Sequence, residues 1–329
     1  MTTDEFYMRR CLQLARCGRQ NAKPNPMVGA VIVVPTSADA ASPDDFRIIG
    51  EGYHVRCGEG HAEVQAFASV SAEDETLLHE ATMYVSLEPC SHYGKTPPCA
   101  DLIVSKGVRR VVVGCIDDFA QVQGRGVERL RQAGISVTVG VLEQECQWLN
   151  RRFFTFHRHH RPYIILKWAQ TANGFIDDQG RAVSISTPAT LMLSHKLRAE
   201  EDAILVGRVT DEREHPQLNV RHWAGPDPKR LVVDRQHPLN LESLYMHNIQ
   251  SLIVEGGRRT LDSFLAQNLW DEIRVETNHA LTVSGGTRAP QLPASARVIS
   301  IQRCAQNTIV GYSNNEGSAT LMGTVVRLP

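Results

Sequence analysis

The spacing of apolar residues predicts alternating helices and strands in the first half of the chain. Apolar side chains recur at helical intervals between positions 4 and 17, and Gly18 stops the pattern, so this segment is predicted to form an amphipathic helix. A continuous β-branched run at 28–34 predicts a strand buried on both faces. Further runs predict strands at 82–87, 108–114 and 135–139 and a helix at 124–133. This alternation predicts a sheet covered by helices.

The second half repeats the alternation after a basic and aromatic segment. The run 151–161 combines Arg, His and Phe and is followed by Pro162, which is typical of a domain junction, although such clusters can also bind nucleic acid by charge and stacking. The pattern that follows predicts strands and helices in turn, at 163–169, 197–207, 231–234, 251–257 and 260–268. A length of 329 residues suits two domains, which we predict at 1–150 and 151–329.

Composition narrows the functional classes. The net charge of −1 gives no broad basic field, which argues against a nucleic-acid partner. No apolar run is long enough to span a membrane and the N-terminus is acidic, so we expect a cytoplasmic protein without a membrane partner. The eight Cys are scattered through a large chain, which argues against a disulfide framework.

The candidate chemistry lies between positions 60 and 99. His61, Cys90 and Cys99 offer one nitrogen and two thiolates, the ligands that Zn²⁺ prefers, and a set of three leaves the fourth tetrahedral position open for water. Glu63 follows His61 by two residues and could reach that water without ligating the metal. This arrangement is typical of zinc deaminases, in which the Glu moves protons while hydroxide attacks the base.

Each part of this pattern has a simpler interpretation. His-x-Glu occurs by chance in many helices, and a Cys is often only a small buried apolar residue. The apolar run 82–87, however, would deliver Cys90 to the wall opposite the His61 helix, so the combination favours a metal site. His54 is a fourth candidate ligand, which we interpret as a pocket wall because three ligands already complete the set.

The spacing of the two Cys ligands points to one family. Eight residues separate Cys90 from Cys99, and Pro24-Asn25-Pro26-Met27-Val28-Gly29 lies upstream; both features resemble the bifunctional riboflavin-biosynthesis deaminase/reductase family. The resemblance implies a cytidine-deaminase-like α/β/α sandwich followed by a shortened dihydrofolate-reductase-like α/β domain. Asn25 could then hydrogen-bond the pyrimidine, or it could simply turn the chain between two prolines. A Gly124-Arg125-Gly126 segment also resembles the family and is interpreted as a helix entry.

The resemblance extends to the reductase half, position by position. Residues that match NADPH-binding positions are Ala169, Thr210, Glu214, Gly256 and Gly257. Residues that match substrate-binding positions are Arg198, Leu218, Arg221 and Glu255. The two Arg side chains suit a ribose phosphate because a guanidinium forms forked hydrogen bonds. The two glycines also suit a phosphate at a helix start, although an ordinary tight turn explains them equally.

Departures from the family pattern fall in the second half. Asn173 stands where the family has Asp, Ser184 where it has Trp, and Glu214 where it has an Asp that is proposed to assist hydride transfer. Only eighteen residues separate Asp234 from Ile253, too few for the expected strand and helix. These departures predict a narrowed nucleotide cleft and impaired reduction.

Three functional hypotheses follow. The first is a homodimeric enzyme that uses Zn²⁺ to deaminate a diaminopyrimidinone ribosylamine phosphate and NADPH to reduce its ribose. In the second, the C-terminal domain no longer reduces and serves for dimerisation or substrate holding. The third is a nucleic-acid-editing deaminase, which the neutral charge and the Cys spacing disfavour.

Overall fold

The computed structural model describes residues 1–91, 97–117, 123–314 and 325–326, and it divides into two compact units, Met1–Arg158 and His159–Pro329. The division falls eight residues after the predicted boundary. Phe153 and Phe154 explain the difference, because both rings are buried in the core of the first unit. The basic and aromatic segment is thus largely a helix of the first unit.

The first unit is an alternation of helices and strands. Its helices are α1 Thr3–Cys17, α2 Ala62–Ala68, α3 Cys99–Lys106, α4 Arg125–Gln132, α5 Glu143–Leu149 and α6 Arg151–His159. Its strands are β1 Gly29–Pro35, β2 Phe46–Tyr53, β3 Thr82–Leu87, β4 Arg110–Cys115 and β5 Ser136–Val139. Short 3₁₀ helices cover Pro43–Asp45 and Glu75–Glu80.

The five strands form one sheet between two helical layers. Their order is β2-β1-β3-β4-β5, with β1 antiparallel to both neighbours and β3, β4 and β5 parallel. Ala30 and Ile32 join a core with α2, α3 and α4, whereas Val31 and Val33 join a second core with α1, α5 and α6. Strand β1 is therefore buried on both faces, as its β-branched run predicts.

The second unit is also mixed α/β. Its strands are β6 Tyr163–Thr171, β7 Ala203–Gly207, β8 Lys229–Val233, β9 Leu239–Asn240, β10 Ser251–Val254, β11 Glu272–Asn278, β12 Ala296–Cys304, β13 Asn307–Asn314 and β14 Val325–Val326. Its helices are α7 Pro188–Glu200, α8 Arg208–Glu214, α9 Leu241–Met246 and α10 Arg258–Ala266.

Seven of these strands form a sheet in the order β12-β13-β11-β6-β10-β7-β8. The five from β11 to β8 are parallel, and β13 is antiparallel to both β11 and β12. In β6, Ile164, Leu166 and Trp168 face one core, whereas Tyr163 and Ile165 face another on the opposite side. The central strands thus place their carboxyl ends together, where residues from several loops can converge.

The segment between Asp234 and Ile253 corrects one expectation. It does hold a strand and a helix, β9 and α9, so the excursion is reduced rather than missing. Strand β9 pairs with β14 and does not extend the large sheet past β8, which remains an edge among the described strands. No helix in the described parts of the chain has both the length and the apolar composition needed to cross a membrane.

Candidate functional site

The candidate metal site of the first unit is built on the start of α2. His61 is the N-cap residue of this helix and has an extended backbone, whereas Glu63 lies in the first turn. The two side chains therefore leave the chain in different directions, as the two-residue spacing predicts. Glu63 is almost fully buried, at 3% exposure, which is rare for a carboxylate without a functional or ionic partner.

The two Cys residues approach His61 from two other elements. Cys90 follows β3 and Cys99 is the first residue of α3. Nδ1 of His61 lies 3.5 Å from Sγ of Cys90 and 3.4 Å from Sγ of Cys99, and the three atoms lie within 4.8 Å of one another. A tetrahedral Zn²⁺ with ordinary bond lengths would separate its N and S ligands by about 3.6 Å. The three side chains therefore fit a zinc ion.

These groups shift one another's pKa. Hydrogen bonding with Cys99 lowers the pKa of Cys90, and the hydrogen bond with His61 lowers it further; together they outweigh burial, which raises it. The hydrogen bond between Cys90 and Cys99, followed by burial, raises the pKa of Cys99. The hydrogen bond to Cys90 raises the pKa of His61. Burial, together with the nearby Cys90, raises the pKa of Glu63 to about 7. A carboxyl with such a pKa is suited to both accepting and releasing a proton near neutral pH.

Asn25 and His54 form the wall next to the three ligands. Nδ2 of Asn25 lies 3.1 Å from Nε2 of His54, and Nδ1 of His54 lies 3.4 Å from the carbonyl oxygen of Gly60. The His54 ring stands edge-on to His61 with 5.4 Å between ring centroids. Burial lowers the pKa of His54, which favours its neutral form. His54 is thus a hydrogen-bonded wall residue outside the three-ligand cluster.

The second unit holds a buried ionic cluster at the carboxyl end of β10. Glu255 pairs with Lys167 of β6, with 3.1 Å between Nζ and Oε1, and with Arg198 of α7, with 2.8 Å between Nη2 and Oε2. Burial raises the pKa of Glu255, but Lys167 and Arg198 outweigh it and lower that pKa to about 2. The carboxylate is therefore ionised and fixed between two cations.

The loop after α8 joins this cluster through two contacts. Nη1 of Arg198 donates to the carbonyl oxygen of Asn219 at 3.4 Å, and the backbone N–H of Arg221 donates to Nδ1 of His195 at 2.8 Å. Leu218 is buried in this loop with a φ of +53°, a left-handed conformation that is uncommon for a residue other than glycine. The four predicted substrate residues Arg198, Leu218, Arg221 and Glu255 thus lie in one connected region.

The predicted nucleotide residues are only partly brought together. The backbone N–H of Gly257 donates to Oγ1 of Thr210 at 3.1 Å, and a Cβ on Gly256 would lie 2.6 Å from Cβ of Thr260. The turn before α10 is therefore tightly packed, and the first N–H groups of a helix suit a phosphate. Ala169 lies on a different strand, β6, and Glu214 is exposed at the end of α8.

Two residues that depart from the family pattern have different surroundings. Asn173 binds the segment around Val283 through both ends of its amide: Nδ2 donates to the Val283 carbonyl at 2.8 Å, and Oδ1 accepts the Val283 N–H at 3.4 Å. An Asp could make only the second of these contacts. The amide of Asn173 therefore stabilises the local turn through two hydrogen bonds with Val283. Ser184 is exposed in an irregular segment.

Sequence reasoning missed Lys167 and His195. Lys167 is a single charge inside the apolar run of β6, and that isolation within a central strand was the available signal. His195 is fully buried, and its Nε2 has no hydrogen-bond partner among the residues that the structure describes. Its position one helical turn before Arg198 was the only hint.

Comparison with known proteins agrees with this geometry. Residues 1–115 match the family model of the cytidine and deoxycytidylate deaminase zinc-binding region, and residues 162–242 match that of the RibD C-terminal domain. The riboflavin biosynthesis protein RibD of Aquifex aeolicus is 35% identical over 83% of this chain and 86% of its own. The RibD of Synechocystis is 38% identical over 84% of this chain and 72% of its own. The chain belongs to the RibD family.

Solved structures support the same assignment. A diaminohydroxyphosphoribosylaminopyrimidine deaminase/5-amino-6-(5-phosphoribosylamino)uracil reductase from Thermotoga maritima is 30% identical, with a TM-score of 0.83 over 95% of this chain and 99% of that one. The expected pairing of a cytidine-deaminase-like domain with a reductase-like domain is confirmed. As a RibD, the chain is a bifunctional deaminase and reductase of riboflavin biosynthesis, so the deaminase-only alternative loses its support.

Proposed function

We propose that the first unit deaminates 2,5-diamino-6-(5-phosphoribosylamino)pyrimidin-4-one by hydrolysis and that the second reduces the ribosyl chain of the product to ribityl. The observation that carries the proposal is the meeting of His61, Cys90 and Cys99 beside the buried Glu63. A zinc ion on the three ligands would supply a hydroxide nucleophile near neutral pH. The substrate is the one that the Thermotoga protein's name implies.

In this proposal each side chain has a separate task. Glu63 would move two protons in turn: it takes one from the attacking water and gives it to a ring nitrogen of the pyrimidine, then takes the other from the added hydroxyl group and gives it to the amino group, which departs as ammonia. Its burial beside the three ligands supports this role. Asn25, held against the neutral His54, orients the pyrimidine by hydrogen bonding. Glu63 is regenerated in each catalytic cycle, because it gives away every proton that it accepts.

For the reduction, we assign binding and positioning to the second unit. NADPH would supply the hydride. Ala169, Thr210, Glu214 and the Gly256-Gly257 turn would hold the nucleotide. Arg198 and Arg221 would bind the substrate phosphate, with Leu218 packing beside it. Glu255 would hold Lys167 and Arg198 in place, since its carboxylate pairs with both cations.

A homodimer is part of the same proposal. Strand β12 is an edge of the large sheet among the described strands, and three of its apolar side chains, Val298, Ile299 and Ile301, are at least 40% exposed. An unpaired apolar edge strand readily pairs with another strand. Sedimentation of the full chain, compared with a Val298→Lys, Ile301→Lys variant, checks this. The cytoplasmic location stays a prediction of the sequence.

The central experiment is a two-stage assay of the purified, zinc-loaded full chain. The pyrimidine substrate without NADPH is expected to release ammonia, and addition of NADPH is then expected to give NADPH oxidation and a ribityl product. Ammonia release without NADPH oxidation would contradict the reductase assignment alone. An absence of ammonia release from a protein that holds one zinc would contradict the deaminase assignment.

A further inference from the structure

The Glu88 side chain is buried next to the candidate metal site and is used by neither half of the proposed chemistry. It is 4% exposed and lies two residues before Cys90. Its carboxylate accepts four backbone N–H groups. Oε2 accepts those of Asp117 and Gly124 at 3.3 and 2.9 Å, and Oε1 accepts those of Gly126 and Val127 at 2.8 and 3.2 Å. A buried carboxylate that is bound at both oxygens is held in one place.

These contacts cap helix α4 from outside its own sequence. The first N–H groups of a helix have no partner within it, and a side chain at the N-cap usually accepts one of them. Here the N-cap is Gly124, in a left-handed conformation with a φ of +80°, which has no side chain to offer. Glu88 supplies the missing acceptor, and its negative charge suits the positive end of the helix dipole.

Gly126 allows α4 to approach the metal-binding segment closely. A Cβ at this position would lie 2.0 Å from the carbonyl oxygen of Pro89, so only glycine fits without a shift of the backbone. This contact gives a physical reason for the Gly124-Arg125-Gly126 segment, which the sequence could describe only as a helix entry.

The segment 88–90 is also fixed along its backbone. The N–H of Glu88 donates to the carbonyl oxygen of Cys115 at the end of β4 at 2.9 Å, and the carbonyl oxygen of Cys90 accepts the N–H of Ala100 in α3 at 3.1 Å. The chain between β3 and Cys90 is thus held by β4, by α3 and, through Glu88, by α4. Among the described residues, these contacts restrict the position of Cys90.

We propose that Glu88 is a positioning residue that fixes the thiolate of Cys90 for metal binding by clamping residues 88–90 to the start of α4. The inference rests on the proposed zinc site. A ligand that is held within about 0.5 Å binds its metal more tightly than one that must be ordered on binding, and the loss of outer hydrogen-bond partners typically costs about 10–100-fold in metal affinity.

Glu88→Gln in the full chain tests the proposal. An amide has one acceptor oxygen, so its NH₂ group would face two backbone N–H donors and the clamp would open on that side. The expected result is a zinc affinity about 10–100-fold lower, measured by competition with a chelator. The visible absorption of the Co²⁺-substituted protein, which reports the geometry of the thiolate and imidazole ligands, is expected to change as well.

Glu128→Gln is the matched control, because it removes the same charge from an exposed side chain in the first turn of α4. It is expected to leave both the zinc affinity and the cobalt spectrum unchanged. Gly126→Ala, which leaves the carboxylate intact but pushes on Pro89, is expected to change both in the same direction as Glu88→Gln.

A role in stability alone would give a different result. Glu88→Gln would then unfold at a lower temperature, while the folded variant kept the zinc affinity and cobalt spectrum of the wild type, and that outcome overturns the proposal. If Glu88→Gln does not fold, Gly126→Ala decides, because its Cβ would lie 2.0 Å from the carbonyl oxygen of Pro89 and must displace the clamped segment. A wild-type cobalt spectrum and zinc affinity in folded Gly126→Ala would then overturn the proposal. A wild-type chain that binds no zinc at His61, Cys90 and Cys99 would instead contradict the proposed function.

Discussion

The two candidate sites of this chain are held in place by different means. In the first unit, the ligand atoms sit at the ends of short elements, and backbone hydrogen bonds fix the chain that carries them. In the second unit, the charged residues come from β6, α7, β10 and the loop after α8, and they fix one another by ion pairs. A site of the first kind should lose chemistry when a side chain changes, whereas a site of the second kind should lose structure as well.

The largest effect is expected from Glu63→Gln in the first unit. The variant keeps the three ligands and the size of the side chain but removes the proton carrier, so the deamination rate should fall by ~10²–10⁴. Zinc content and the unfolding temperature should remain those of the wild type. The exposed Glu59→Gln, four residues away in sequence, is the control for the loss of charge. A fully active Glu63→Gln protein with full zinc would end the mechanistic proposal.

Glu255→Gln is expected to show the opposite behaviour in the second unit. It leaves Lys167 and Arg198, whose side chains are 12% and 11% exposed, without their shared carboxylate. Removal of one partner from a buried ion pair costs about 3 kcal/mol or more, so denaturant unfolding of this unit should shift together with a loss of NADPH oxidation. Glu212→Gln, which breaks an exposed pair with Arg208, should change neither. If Glu255→Gln lost NADPH oxidation but unfolded at the same denaturant concentration as the wild type, the two sites would not differ in how they are held in place.

A pH titration of stability sharpens the comparison through His195. Burial, followed by the nearby Arg198, His222 and Arg221, lowers the pKa of His195 to about 4, compared with about 6.5 in an unfolded chain. The folded state therefore binds fewer protons between these values, and stability is full above pH 6.5 and declines as the pH falls towards 4. The decline due to this group should be about 3 kcal/mol. His195→Gln should remove that part of the pH dependence; an unchanged profile would show that another group carries it.

The smallest effect is expected from Asn173→Asp, which restores the family's usual residue. The Asp would lose the hydrogen bond to the Val283 carbonyl and place a carboxylate next to that oxygen, at a cost of about 1 kcal/mol. The rate of NADPH oxidation should not increase, because the side chain at position 173 hydrogen-bonds with the backbone of Val283. Asn173→Ala, which removes both contacts, gives the reference for thermal unfolding. A gain in reduction rate with Asp would show that the departure does limit the chemistry.

The same contrast explains what could be predicted from sequence. Residue type and spacing predict the metal ligands His61, Cys90 and Cys99. An unbroken β-branched run predicts strand β1. The contact between Arg221 and His195 joins residues 26 positions apart, and that between Glu88 and Gly126 joins residues 38 apart; neither has a local pattern. The sequence alone does not assign the helix 151–159 to a unit, because Phe153 and Phe154 resemble junction residues until their burial is known.

The charged residue Lys167 in strand β6 affects how accurately the strands of the second unit align during folding. Lys167 has the same parity in this strand as Tyr163 and Ile165, while Leu166 and Trp168 point to the other side. A pairing error of one residue would send the ammonium into an apolar layer and leave Glu255 facing a hydrophobic side chain. Misaligned sheets are therefore penalised by a buried charge. The ion pair between Lys167 and Glu255, to which we assign the positioning of the substrate site, would thus also select the correct alignment of the strands that carry it.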